Sequence, residues 1–140
     1  MGLKTLLYVS KSLIAPSDIG RDIKNIVTTA RTRNVERGVS GVLIFTEARF
    51  AQVIEGPEPA IDMLMTSIIG DPRHKQITVV HEEALTERRY ANWSMAYSGP
   101  SLYVDRHGRP LLDPVLQNRD RQRLFDRLLY LMEELARVPV

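Results

Sequence analysis

The chain has 140 residues, 44% of them hydrophobic and 26% charged, with a formal net charge of +2 and no cysteine. That length suits one core and a terminal extension, and the missing cysteine excludes disulfides, thiolate metal sites and a cysteine nucleophile. The apolar run Val42-Leu43-Ile44-Phe45 is far too short to span a bilayer. The N-terminus lacks the basic, apolar, small-residue order of a secretory signal. Acids are mixed among the arginines, as in Arg119-Asp120-Arg121, which suits solvated helix faces better than a phosphate track. A cytoplasmic protein is expected, with neither a nucleic-acid nor a membrane partner.

Leu3 to Ser10 reads as a first strand, with Leu6, Tyr8 and Ser10 on one face and Leu7 and Val9 on the other. Pro16-Ser17-Asp18 begins a helix, with Ser17 or Asp18 available as its cap. Ile19, Ile23, Ile26, Val27 and Ala30 follow at helical spacing, and this helix is expected to end near Arg33 or Asn34, before Gly38. Val39 to Thr46 is apolar on both faces, as a central strand is. Glu47-Ala48-Arg49 then turns the chain into Phe50-Ala51-Gln52-Val53-Ile54-Glu55, making a hairpin. Gly56-Pro57 starts a second helix with a stripe of Ile61, Leu64, Met65, Ile68 and Ile69, and Gly70-Asp71-Pro72 stops it. A fourth strand is predicted over Gln76–Glu83 and a fifth over Trp93–Ser98.

This order, β-α-β-β-α-β-β, is a ferredoxin-like α+β arrangement with one added strand in a mixed sheet. Two helices cover one sheet face. A helix predicted from about Asn118 to Arg137 is left to cover the other, with apolar positions at Leu124, Leu128, Leu131 and Leu135 and a second edge at Phe125, Leu129 and Met132. The boundaries implied are 1–98 for the main domain and 99–140 for a C-terminal helical extension.

Catalytic constellations are missing. There is no G-x-S-x-G, Walker or G-x-G-x-x-G pattern, and His74, His81 and His107 lack metal-ligand spacing. What stands out is Gln52, an amide between Phe50 and Ile54 on a buried strand face. A buried amide without partners costs about 1–3 kcal/mol, so a tyrosine, a backbone group or the polar edge of a bound ring has to meet it. An amide also carries both donors and an acceptor, and reverses its bonds by turning over.

The ordered set Leu7-Tyr8-Val9-Ser10, Arg33-Asn34, Gly38-Val39-Ser40-Gly41-Val42-Leu43, Phe50-Ala51-Gln52-Val53-Ile54-Glu55-Gly56, Asp71-Pro72-Arg73-His74 and Trp93-Ser94-Met95 resembles the BLUF family of blue-light photoreceptors. That family binds flavin between the two helices of a ferredoxin-like domain. The resemblance implies FAD as cofactor, with FMN or riboflavin able to substitute. It implies Tyr8 as electron donor, Gln52 as the amide that rearranges or tautomerises, and Asn34 as the holder of the pyrimidine-like end of the ring. Trp93 and Met95 would sit near Gln52 and carry the signal onward. Arg31 and Arg73, ahead of His74, would meet the phosphates. Ile23, Ile26, Val27, Leu64 and Ile68 would sandwich the ring. Ser40 stands where a threonine is common in the family, and Arg33 where some members have histidine.

Short family members carry a helical cap without a fused effector and signal to a separate protein, so an effector in trans, a homo-oligomer and no enzymatic activity are expected. Each residue has a plainer explanation taken singly: Tyr8 and Trp93 as packing groups, Asn34 as a helix end, Asp71-Pro72 as a helix stop. The competing functions are a cofactor-free ferredoxin-like interaction or small-ligand module, and a small flavin-dependent redox enzyme. The latter has no nameable second-substrate site.

Overall fold

The computed structural model describes residues 2–46, 48–90 and 96–98, together with 123 and 126–131. The strands are β1 (Leu3–Ser12), β2 (Ser40–Phe45), β3 (Arg49–Pro57), β4 (His74–Leu85) and β5 (Ala96–Ser98), and the helices are α1 (Ile19–Arg37) and α2 (Glu58–Ile69). They form one five-stranded sheet in the order β4-β1-β3-β2-β5. The β1–β3, β1–β4 and β2–β3 pairs are antiparallel, while β2 and β5 are parallel. The expected ferredoxin-like α+β class and mixed sheet are therefore what the chain adopts.

Strand alternation divides the core into two layers. On one face Leu6, Tyr8, Leu43, Phe45, Phe50 and Ile54 pack against Ile23 and Val27 of α1 and Ile61 and Met65 of α2. On the other, Leu7, Val9, Val42, Ile44, Ala51 and Val53 pack with Tyr90 and with Leu128 and Leu131 of the helical segment 126–131. Every residue of β2 is buried. This is the physical meaning of its continuous apolar run: a strand covered on both faces has no polar side.

Several boundaries differ from expectation. β1 continues to Ser12 because β3 still offers Arg49 opposite Lys11. α1 continues to Arg37, and Gly38 closes it in the left-handed region (φ 69°), where a Cβ is unfavourable and glycine is not. Asn34 therefore lies inside the last turn rather than at the helix end. No side-chain cap forms at Asp18; a single 3-10 turn, Pro16–Asp18, leads into α1 instead. β4 is longer than predicted because β1 pairs along it from Ser12 opposite His74 to Leu3 opposite Leu85. Ile69 is 63% exposed, so the α2 stripe ends at Ile68. Leu129 is half-buried against the second layer rather than on a free edge. The expectations for Trp93, Met95, Phe125 and Met132 fall outside the described residues, as does most of 99–140. Among the described residues no helix is long and apolar enough to cross a membrane.

The approach of β2 to β3 is tightest at Gly41, where an added Cβ would lie 2.2 Å from the Val53 carbonyl oxygen. Backbone cannot yield as a flexible side chain does. Gly41→Ala is expected to lower unfolding free energy by about 3 kcal/mol, the upper part of the overpacking range. Gly20→Ala, at an open helical site, is expected to be neutral or stabilising by up to about 1 kcal/mol. Urea denaturation midpoints of the two variants check both outcomes.

Candidate functional site

In the β1–β3 register Tyr8 stands directly opposite Gln52. Side chains of a directly opposed pair share a face and lie within reach of each other. The Tyr8 hydroxyl donates to Gln52 Oε1 at 2.6 Å, and both residues are buried. The amide picked out in the sequence is thus met by a tyrosine. Burial, with the nearby Asp71 carboxylate contributing less, pushes the Tyr8 phenol well above its ordinary value of 10.0, so its proton stays in place at neutral pH. Next to this pair β1 and β4 slip register: Leu7 faces His81 while Tyr8 faces Val79. Such irregularities re-aim side chains beside functional sites.

Tyr8 and Gln52 form part of the floor of a cleft between α1 and α2, together with Leu43 and Phe50. One wall is Ile26, Thr29, Ala30, Arg33 and Asn34, the other Leu64, Ser67, Ile68 and Asp71, and Arg73 and His74 complete the lining. The walls follow helical spacing, i, i+3, i+4, i+7 and i+8 from Ile26 and i, i+3 and i+4 from Leu64, with Asp71 just past the end of α2. The same spacing, extended past the apolar stripes in the sequence, locates Thr29, Arg33 and Ser67, which the hydrophobic pattern alone passes over. Arg31 does not fit it: it is exposed and does not line the cleft. Ile23 and Val27 are buried in the layer beneath instead of in the lining. The cleft opens to solvent at its mouth.

The polar groups have defined tasks. Asn34 is only 2% exposed, and its backbone carbonyl receives the Val39 N–H at 2.8 Å. Arg73 holds Asp71 in a two-pronged ion pair, Nε at 2.9 Å from Oδ1 and Nη2 at 2.5 Å from Oδ2. The Arg73 hydrogen bonds keep the Asp71 carboxyl below the usual carboxylate range, and Asp71 in turn raises the Arg73 guanidinium. His74 lies in β4, not in a loop. Its Nε2 is 2.6 Å from the Ile68 carbonyl, which can only accept, so Nε2 carries the hydrogen. In the neutral ring Nδ1 then accepts from the Ser10 hydroxyl at 2.7 Å. Both ring nitrogens are committed to the protein, and the ring stands edge-on to Tyr8 and Phe50 at 6.1 and 6.0 Å. Among the described residues, no group of three or more His, Asp or Glu is placed to hold a metal.

An apolar slot with an amide at one wall, an amide–phenol pair on its floor and two arginines in its lining fits a planar heteroaromatic ring bearing carbonyls, ring nitrogens and an anionic tail. A family model described as "sensors of blue-light using FAD" matches residues 3–96. The chain belongs to the BLUF family. It is 36% identical over 94 residues to photoactivated adenylate cyclase subunit beta of Euglena gracilis, covering 66% of this chain and 11% of that protein. It is 33% identical over 93 residues to the blue light- and temperature-regulated antirepressor BluF of Escherichia coli, covering 66% of this chain and 23% of that one. Among solved BLUF structures, dark-state BlrB aligns with a TM-score of 0.76 at 30% identity, covering 91% of this chain and 95% of BlrB. Photo-activated BlsA aligns with a TM-score of 0.78 at 26% identity, over 98% and 96% of the two chains. The BLUF match covers the whole α1–α2 cleft, and the sensor class follows from it.

The raised phenol of Tyr8 has a direct consequence for alkaline stability. Its neutral form is favoured by folding, so its contribution is fully present below pH 10.0, the ordinary phenol value. That contribution is lost as pH rises above this value and the unfolded chain ionises. Ultraviolet titration of phenolate in native wild type and Tyr8→Phe is expected to be superimposable through pH 10. Tyr8 should add absorbance only at higher pH or on unfolding. A wild-type excess appearing near pH 10 in the folded protein would contradict its burial.

Proposed function

We propose that this protein is a blue-light photoreceptor that holds FAD in the α1–α2 cleft, catalyses no reaction of its own, and signals by rearranging hydrogen bonds around Gln52. The observation that carries this reading is the buried 2.6 Å Tyr8–Gln52 bond on the cleft floor. Asn34, Gln52, Arg33 and Arg73 would hold the polar parts of the cofactor, and Ile26, Leu64 and Ile68 its ring faces. Arg33, in the lining, takes the place given to Arg31 among the cofactor contacts. His74 supports Tyr8 and Phe50 rather than a phosphate, because its nitrogens are already engaged. When bound, FAD supplies blue-light absorption and an excited state that takes up an electron.

The protein's own part is then as follows. Tyr8, once it gives up an electron, becomes strongly acidic and passes its proton along the existing bond to Gln52 Oε1. On return of the electron and proton, Gln52 turns over or tautomerises, exchanging which of its atoms faces Tyr8. Trp93 and Met95 are proposed to follow that change into β5, with residues 1–98 as sensor and 99–140 as output extension. Signalling to an effector in trans is part of the same proposal. The cyclase subunit among its relatives makes a nucleotide-cyclising enzyme one candidate effector class. We also propose a homo-oligomer; the strongly exposed Tyr130 on the C-terminal helical segment is a position to probe for it.

Purified protein is expected to show a flavin spectrum that moves slightly to the red under blue light and relaxes in the dark. A colourless protein unable to take up FAD would reject the reading. Tyr8→Phe and Gln52→Leu should retain FAD and lose the shift, because one removes the donor and its proton and the other the exchangeable amide. Asn34→Ala should weaken FAD binding roughly tenfold, about 1.4 kcal/mol, as measured by flavin fluorescence on dilution.

A further inference from the structure

Glu55 is a fully buried carboxylate that the cleft does not use. It lies three residues beyond Gln52 in β3, so alternation turns it to the opposite sheet face. Its Oε1 accepts from the Ser40 hydroxyl at 3.0 Å and from the Tyr90 N–H at 2.6 Å, and its Oε2 accepts from the Arg89 N–H at 3.0 Å. Arg88 adds a second layer, donating from Nη1 to Ser40 Oγ at 3.1 Å and from Nη2 to the Gly38 carbonyl at 2.5 Å. Burying a charge is costly unless several directed bonds compensate it. Here those bonds go to β2 and to one short stretch, residues 88–90, on the way to β5.

We propose that Glu55 is a positioning residue that couples β3 to the C-terminal helical segment 126–131 through Tyr90, a role that rests on the photoreceptor reading above. Tyr90 is held twice. Its backbone is bonded to Glu55, while its ring, 1% exposed, shares a buried cluster with Leu128 and Leu131 and with Ala51 and Val53 of β3. Gln52 and Glu55 belong to one strand paired on both sides, so a backbone displacement of β3 at Gln52 carries Glu55 and the 88–90 stretch with it. The second cleft element feeds the same point, because Gly38, whose carbonyl receives Arg88, caps α1 through its N–H four residues after Asn34. The hydroxyl at position 40 is thereby explained. Serine or threonine bridges Arg88 to Glu55, and alanine leaves both without that partner.

The test uses the full chain with FAD bound, in the dark and under blue light, with two readouts: the visible difference spectrum and amide hydrogen exchange of a peptide containing 126–131. Wild type is expected to show both the red shift and a light-dependent change in exchange of that peptide. Glu55→Gln keeps the side-chain shape but cannot accept at both of its terminal atoms. It should retain the red shift while the light–dark exchange difference at 126–131 falls about fivefold or more. Ser40→Thr should match wild type, and Ser40→Ala should show the same selective loss to a smaller degree. If Glu55→Gln does not fold, Ser40→Ala decides. A full light response at 126–131 in the deciding variant overturns the proposal. A wild-type chain that shifts in light with no change at 126–131 overturns it too, yet leaves the photoreceptor reading intact. A wild-type chain that binds FAD and never shifts rejects that reading itself and the coupling with it.

Discussion

The antiparallel register of β1 and β3 is the constraint on which the site depends. It sets Tyr8 opposite Gln52 and orients both toward the helical face of the sheet. A slip of one residue in either strand would turn its member of the pair to the other layer, separating Tyr8 from Gln52. Pairs with both of its neighbours fix β3 in place. Tyr8 and Gln52, both buried, satisfy each other, where an orphaned partner would cost about 1–3 kcal/mol. At the hairpin end, Phe45 and Phe50 face each other across β2 and β3 and stack with ring centroids 4.7 Å apart.

Above that floor the two helices are used differently along their lengths. Ile23 and Val27 of α1 and Ile61 and Met65 of α2 close the core, whereas Ile26, Ala30, Leu64 and Ile68 are left half-buried beside it and line the cleft. Apart from Arg33 in the α1 wall, the polar components are neutral or internally paired: an amide, a phenol, a histidine bonded at both nitrogens and an Asp71–Arg73 ion pair. Such a lining can hold an aromatic ring without stranding a charge against it. The opposite sheet face is built for a different task. Its apolar layer receives the C-terminal helical segment, and its fully buried Glu55 binds the connection to β5.

Composition, alternation and helical spacing determined the element order, the two-layer core and the apolar side of each helix, because these follow from local periodicity alone. Gln52 was conspicuous for the same reason: an amide between Phe50 and Ile54 contradicts its surroundings unless something meets it. The family resemblance supplied the identity of Tyr8, Asn34 and Gln52 as a set. Boundaries were less legible. α1 runs to Arg37, β4 to Leu85, and the expected cap at Asp18 does not form, since pairing with neighbouring strands and a glycine cap outweigh weak terminal preferences.

Only the tertiary structure decided which polar groups meet. Arg31 and Arg33 are indistinguishable as residue types two positions apart, yet about 200° of helical rotation puts Arg33 in the lining and Arg31 outside it. His74 looked available for a phosphate, but chain packing brings Ser10 and the Ile68 carbonyl to its two nitrogens. Glu55 read as the end of a strand until residues 88–90 returned to it from more than thirty positions away. Local sequence carries periodicity, and periodicity selects faces. Partners far apart in the chain are selected by register and packing, which no local window contains.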